Sequence, residues 1–507
     1  MREHQITAII LAATEMGGMG DDYFERKTRH LLPIADKPLI QHLIETVDKC
    51  KQIGEKHIII EEKVEENGKI EPCEEVYKSV FGDRVGDDIK LEGQEPLAQA
   101  GTFEAVKEYI EGEDKKESIF PILVLYGDTL VEEKFLERIV NQYSKENEES
   151  KIVWGLAESK KERGKFVITN YIDINNDFVQ IDGDDIRNIF EYPIIGREKS
   201  YTFLHDTGIM AISKDSWDNI NKLIDRIHRP SPLGLFSFTN IIKQALVFKN
   251  IEDVNIEIIG VVAPEDQWHE ANYPWEILEL NKTKISDSVK DGEWAREKER
   301  SISIQEDTEW TEEKEEEIGQ KNILVQGNVK FTMTNGARIK GPCFLGKNIK
   351  IRDYAIIENS YIGDGCEIGE HAVILDSTLV KSVTVHPHAT IEKSIIMENS
   401  KVYCHAEVLH SIVGKEVMIG SGVKTPCQRL KRVHGKPYVT YFSDTGIKKT
   451  DKFGAIIGDY CQIGSGTVIH PGRRVGKRSN ISANCEILKN IKPDSNIRNK
   501  DMVEGYE

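Results

Sequence analysis

The sequence predicts an α/β domain followed by an all-β parallel β-helix, and three observations carry that reading. Short β-branched runs alternate with amphipathic segments over residues 1–283, a polar acidic stretch follows, and a six-residue aliphatic period then runs almost to the end of the chain. A chain of 507 residues exceeds what one core holds, so several domains are expected.

In the first part, Ile6–Ala13, Lys56–Glu62, Ile122–Tyr126 and Ile152–Ala157 read as buried strands. Pro38–Lys49 and Thr102–Tyr109 carry apolar residues at helical spacing, among them Leu39, Leu43, Ile44 and Val47. Alternation of this kind predicts a mostly parallel sheet with helices on both faces. Ligands of such sheets bind beyond the carboxyl ends of the strands, which draws attention to the loops after Ala13 and Tyr126. Residues 284–322 are rich in Glu, Lys, Asp and Ser and read as a solvated acidic linker.

The six-residue period occupies 323–495, with residues 496–507 left as a tail. Leu345, Ile351 and Ile357, then Ile362, Ile368 and Ile374, and later Ile457, Ile463, Ile469, Val475, Ile481 and Ile487 recur at this spacing. It fits neither a 3.6-residue helix nor a hairpin. A coil of three short strands, each dropping one aliphatic side chain into a narrow interior, does fit it. The period breaks at Gln428–Phe453, a segment holding Arg429, Lys431, Arg432, His434, Lys436, Lys448, Lys449 and Lys452. Such an insertion is expected to project from the coil, either as a solvated arm or as a contact for an anionic ligand or a neighbouring subunit.

A net charge of −19 speaks against a nucleic-acid partner, whose phosphates call for basic patches. No apolar run reaches the roughly 20 residues that span a bilayer, so no membrane partner is expected. The N-terminus has no signal-peptide pattern, and the eight cysteines include no C-x-x-C pair; reduced thiols in a cytoplasmic protein are the expectation.

AIILAA (8–13), LLPIADKPLIQHLIE (31–45), EPLAQAGTFEAV (95–106), VLYGD (124–128), FEYP (190–193), DTGIMAIS (206–213) and QWHEANYPWEILELN (267–281) stand in an order that resembles the sugar-1-phosphate nucleotidyltransferases. SIIMENSKV, IVGKEVMIGSGVK and GAIIGDYCQIGSGTVIHPG are similar to the acyltransferase half of the bifunctional archaeal-type UDP-N-acetylglucosamine pyrophosphorylase / glucosamine-1-phosphate N-acetyltransferase. The resemblance implies a Rossmann-like N-terminal domain and a left-handed β-helix of hexapeptide repeats that assembles as a trimer. It also implies attack of a sugar 1-phosphate on the α-phosphate of a nucleoside triphosphate, with Mg²⁺ as cofactor and pyrophosphate leaving.

On this resemblance Asp128 and Glu270 are the metal and catalytic carboxylates, Glu270 standing where the family has aspartate. Gly17, Gly18 and Gly20 keep a phosphate loop whose amides can cradle an anion, and Arg29 occupies the place of the family's lysine. Gly101, Glu191, Asp206 and Gly208 are the substrate-binding candidates. Departures accompany these matches. The loop lacks the arginine of the family's G-x-G-T-R, and Glu15, Asp21 and Asp22 add negative charge beside it. A carboxylate about 5 Å from a phosphate costs about 3 kcal/mol at an effective dielectric near 20.

In the second half the family's general-base histidine falls at Cys404, with His405 next to it. Neighbours in a strand point to opposite faces, so His405 would need a bulge to take over that role. Loss of a general base costs about 10²–10⁴ in rate, which leaves acetyl transfer weakened or lost. Arg473 and Arg474 fall where the resemblance implies the phosphates of acetyl-CoA; a solvated charged edge is the other reading. The function implied is nucleotidyl transfer. The alternative is a non-catalytic regulatory or scaffold protein, as in the nucleotidyltransferase-like subunits of the eukaryotic translation-initiation exchange factor.

Overall fold

The computed structural model describes residues 5–12, 22–24, 29–61, 63–64, 70–71, 74–94, 102–112, 119–145, 151–158, 171–174, 188–190, 202–226, 256–264, 267–290, 303–304, 323–325, 330–333, 336–429, 438–443 and 446–499. The chain divides into two compact units, residues 1–14 with 39–270, and residues 15–38 with 271–507.

The first unit is built on a nine-stranded mixed sheet. Ile6–Ala12 lies between Ile53–Glu61 and Ile122–Tyr126, parallel to both, and Ile89–Gln94 extends the parallel part. The strands Ile6–Ala12 and Ile122–Tyr126 are almost wholly buried, as continuous apolar runs should be in a sheet covered on both faces. The expectation of a mostly parallel sheet holds for these strands and for Lys151–Glu158 with Glu257–Ala263, which also pair in parallel. Thr202–Ile212 runs antiparallel to both Ile122–Tyr126 and Lys151–Glu158, and Tyr171–Ile174 also pairs with it antiparallel. Leu39–Lys49, Thr102–Gly112 and Glu133–Lys145 are helices, and Leu39, Leu43, Ile44 and Val47 are buried on one stripe of the first.

The second unit contains a left-handed β-helix of three parallel sheets with ten, eight and eight strands. Its interior is a single column of buried aliphatic side chains that includes Ile351, Ile357, Ile362, Ile368 and Ile374. Each fully buried Val, Leu or Ile contributes about 1.5–3 kcal/mol. One turn takes 17 residues in the middle coils, where Ile351 stacks on Ile368, and 18 in flanking ones, where Met333 pairs with Ile351 and Ile463 stacks on Ile481. The difference is a corner of five residues instead of six, as between Ile357 and Ile362.

That short corner has a chemical cause. Ser360, Ser377, Ser394 and Ser411 lie at it, fully buried, one coil apart. Each hydroxyl donates to the carbonyl two residues back (Ser377 to Leu375 at 2.6 Å, Ser411 to Leu409 at 2.7 Å). Each also accepts from the amide of the coil above, Ser377 from Ser394 and Ser394 from Ser411, at 3.1 and 3.0 Å. Above Ser411 the ladder ends on the amide of Ala455 at 3.0 Å.

Four expectations about the organisation are corrected. The boundary at 283/284 falls inside the helix Pro274–Lys290, which belongs to the β-helix unit: Asn281 accepts from the Ala35 amide and the Thr378 hydroxyl, both at 2.8 Å, and Lys282 pairs with Asp376 at 2.9 Å. Residues 284–322 are not all linker, because Ser303–Ile304 pairs with Lys330–Met333 as the first rung of a sheet. At the other end Asn496–Ile497 pairs with Asn480–Ile481, so the coil enters the expected tail. Lastly, the basic insertion does not simply project. Val439–Ser443 and Gly446–Thr450 form an antiparallel hairpin, and fully buried Tyr441 packs edge-on against Trp275 and Phe453.

Ser394→Ala is expected to leave the Ser411 amide without its acceptor and to lower the stability of the second unit by about 1–3 kcal/mol in denaturant unfolding. In the first unit Lys56 bridges Asp48 and Asp88 at 2.8 and 3.0 Å, and Arg84 contacts the same two carboxylates. Hydrogen bonds from Arg84, then from Lys56, hold the Asp88 carboxyl well below the usual carboxylate range. A folded-state value below the unfolded one means that this stabilisation is present above about pH 4 and is lost as pH falls. Arg84→Met should therefore flatten the fall in melting temperature between about pH 5 and pH 2.

Candidate active site

Asp128 is a 5% exposed residue in the turn between Ile122–Tyr126 and the short strand Thr129–Val131. The turn is fixed at both ends. Gly127 donates its amide to Leu11 O at 2.9 Å, carrying the parallel ladder one residue further, and the Thr129 hydroxyl donates to Tyr126 O at 2.8 Å. Thr129–Val131 then pairs antiparallel with Trp268–Glu270, in a ribbon separate from the main sheet. The register sets Glu270 opposite Thr129, His269 opposite Leu130 and Trp268 opposite Val131.

The register thus sets Glu270 opposite the immediate neighbour of Asp128, 142 positions away in the sequence. Directly opposed residues stand about 4.5–5.5 Å apart in such a ladder. Among the described residues no group of three or more His, Cys, Asp and Glu converges as a closed metal cage. Hard carboxylates are donors that suit Mg²⁺, which keeps waters and takes phosphate oxygens. In donor chemistry the two residues fit that ion.

Asp206 and Gly208 support this corner from beneath. The Asp206 carboxylate accepts from the Trp154 indole and from the Gly208 amide, both at 2.8 Å, so one of its oxygens braces the fold rather than facing a sugar. Gly208 has φ +69°, and a Cβ there would sit 2.5 Å from the Tyr126 ring. Between them, Thr207 donates its hydroxyl to Gly155 O at 2.7 Å and accepts the Trp268 indole N–H on its own carbonyl at 3.1 Å. Neither Trp154 nor Trp268 stands out in the sequence as a site residue. Their only signal there is a tryptophan two positions before Glu270 and another in a buried strand.

Arg29 belongs to the second unit. It lies buried in a 3₁₀ turn, Arg29–Leu31, and donates to the Asn272 side chain at 3.1 Å. The segment before it is also tied to the β-helix: Asp22 and Tyr23 offer their carbonyls to the amides of Lys477 and Asp459, both at 2.7 Å. Gly17, Gly18, Gly20, Gly101 and Glu191 lie outside the described residues.

In the β-helix, Cys404 and His405 occupy a corner and not a strand, which removes the expectation that they point to opposite faces of one. His405 has φ +58° and is exposed. Its ring stacks on His388 at 4.9 Å, His388 stacks on His371 at 4.9 Å, and His371 on Tyr354 at 5.1 Å. The histidine is the top step of a ring ladder with a 17-residue period. Arg473 is buried, and burial followed by the neighbouring Arg429 and Arg474 pulls its guanidinium below the usual range. Arg474 lies between the rings of Tyr23 and Tyr441, at 5.2 and 5.0 Å, so aromatic packing accounts for its place. An edge of freely solvated charge, the other reading of this pair, does not describe it.

A mixed α/β unit followed by hexapeptide coils defines the class: two-part proteins of the nucleotidyltransferase type with a C-terminal β-helix. Residues 320–425 match the family described as the EIF2B subunit epsilon LbH domain, and residues 454–489 match the bacterial transferase hexapeptide (six repeats). The bifunctional protein GlmU of Methanococcus vannielii is 24% identical over 497 residues, covering 94% of each chain. That of Methanococcus maripaludis is 24% identical over 526 residues, covering 98% of each. The GlmU of Methanococcus aeolicus is 32% identical over 89 residues, 17% of this chain and 22% of that one. Over nearly its whole length the chain is similar to bifunctional GlmU proteins, and its second unit carries hexapeptide repeats. Within the described residues no helix is long and apolar enough to cross a membrane.

Gly208→Ala forces a left-handed backbone onto alanine and drives its methyl into Tyr126. A loss of about 2–4 kcal/mol is expected from calorimetric unfolding of the first unit.

Proposed function

We propose that this protein joins a nucleoside triphosphate to a sugar 1-phosphate and releases pyrophosphate, with Asp128 and Glu270 holding the divalent ion. The single observation that carries this reading is the register that sets Glu270 against Thr129, beside Asp128. Similarity to bifunctional GlmU proteins over nearly the whole chain supports it. A bound Mg²⁺ would supply charge neutralisation for the phosphate oxygens. Asp128 holds its place through a turn fastened at Gly127 and Thr129, and Glu270 through the ribbon, so neither carboxylate has to be ordered when substrate arrives. A role for Arg29 at the phosphates, and for Gly17, Gly18, Gly20, Gly101, Glu191 and Gly208 around nucleotide and sugar, rests on the resemblance alone.

The proposal extends to the second half in weaker form. Cys404 stands where the family has its general base, and His405 sits at an exposed corner stacked on His388. Acetyl transfer from acetyl-CoA is therefore proposed as reduced or lost, with the β-helix serving assembly, as a trimer, in the cytoplasm.

One observation favours a second reading, a regulatory or scaffold protein: the match of residues 320–425 to the EIF2B epsilon β-helix family. Pyrophosphate release across a panel of nucleoside triphosphates and hexose or hexosamine 1-phosphates separates the two. For the enzyme, Asp128→Asn should lower Mg²⁺-dependent turnover by about 10³-fold or more. No turnover with any pair, together with no nucleotide binding by calorimetry, would leave the scaffold.

A further inference from the structure

The ribbon that carries Glu270 is not part of the nine-stranded sheet, so something must set its position against the turn that carries Asp128. Asp128 is fixed through the chain itself, two residues beyond Tyr126 at the end of a central strand. Glu270 comes seven residues after the sheet strand Glu257–Ala263, and its own strand is joined to the turn by pairing with Thr129–Val131 and by a further main-chain bond, Glu132 N to Gln267 O at 2.9 Å. Three-residue pairings are too short to fix the twist of a ribbon by themselves.

Trp268 supplies what is missing. It lies two residues before Glu270, hence on the same face of the strand, and is 9% exposed. Its indole N–H reaches Thr207 O in the main sheet at 3.1 Å. Thr207 is itself immobilised. Its hydroxyl is bound to Gly155 O, and Gly155 admits no side chain because a Cβ would lie 2.7 Å from that hydroxyl. On one side of Thr207, Asp206 is gripped by the Trp154 indole; on the other, Gly208 lies against the ring of Tyr126. Three consecutive residues, Asp206 to Gly208, therefore touch both arms of the carboxylate pair: the Tyr126 end of the Asp128 turn and the Trp268 end of the Glu270 strand.

We infer that Trp268 is a positioning residue for the metal pair, its indole N–H fixing the Glu270 carboxylate relative to Asp128 by way of the Thr207 carbonyl. The inference rests on the metal-holding role given to that pair under the proposed function. Groups that orient metal ligands typically cost about 10–100-fold in metal affinity when removed.

The test compares wild type, Trp268→Phe and Asp128→Asn by manganese titration with electron paramagnetic resonance, and by amide exchange at Glu132. Trp268→Phe is expected to weaken Mn²⁺ binding about 10–100-fold and to speed exchange at Glu132, with KM for nucleotide unchanged at saturating metal. A purely structural role would lower stability without this separation of metal affinity from KM. Should the phenylalanine variant fold poorly, benzothienylalanine at position 268 removes only the N–H and gives the same comparison. Mn²⁺ affinity within twofold of wild type in either variant, or unchanged exchange at Glu132, overturns the inference. If wild type and Asp128→Asn bind Mn²⁺ equally, the carboxylate-pair reading itself falls, and Glu132 exchange still reports whether Trp268 anchors the ribbon.

Discussion

A main-chain polar group buried without a partner costs about 1–3 kcal/mol, and both units meet that demand at the places where regular pairing stops. In the β-helix it arises at the five-residue corner, where buried serine hydroxyls bridge each coil to the next. In the α/β unit it arises at Thr207, whose carbonyl takes the Trp268 indole while the strand Thr202–Ile212 continues around it. The shape of each unit depends on these few side-chain donors, because the main chain alone leaves those positions open.

The consequence for chemistry is that the candidate carboxylates are placed by backbone register together with a few side-chain hydrogen bonds. Asp128 is carried on a strand end in the centre of a sheet, and Glu270 on a ribbon tied to that sheet at the Tyr126 and Thr207 carbonyls. Residues that the resemblance assigns to sugar contact also hold this frame together. Asp206 gives one carboxylate oxygen to two internal donors, and Gly208 yields space to Tyr126. A residue in such a place can serve substrate only with what the frame leaves over.

In the β-helix half the resemblance puts a thiol, Cys404, where the family has its general base, and the neighbouring His405 imidazole is the end of a stack. Arg474, in the region the resemblance gives to a cofactor's phosphates, is flanked by two aromatic rings. Among the described residues the coil keeps a column of buried, mainly aliphatic side chains, with Thr425 at one interior step bonded to Ser411 at 2.9 Å. Architecture persists here because each interior step needs only an aliphatic side chain or a satisfied hydroxyl, whereas chemistry needs one particular side chain at one particular atom.

Periodicity made the two kinds of fold legible in the sequence. Ile351, Ile368 and Ile463 announce a coil because each must fill the same narrow interior, and Ile6–Ala12 and Ile122–Tyr126 announce central strands because both faces are covered. Asp128 and Glu270 were visible as candidates through the motifs around them. The pairing of their strands was not, since a register between two three-residue strands leaves no periodic trace. The tertiary structure alone decided that register, the anchoring of Trp268, the membership of Arg29 in the second unit and the turn geometry at His405. Hydrophobic pattern records what is buried next to its own repeats, while contacts between residues far apart in sequence are fixed by hydrogen bonds that any polar pair of suitable geometry can make.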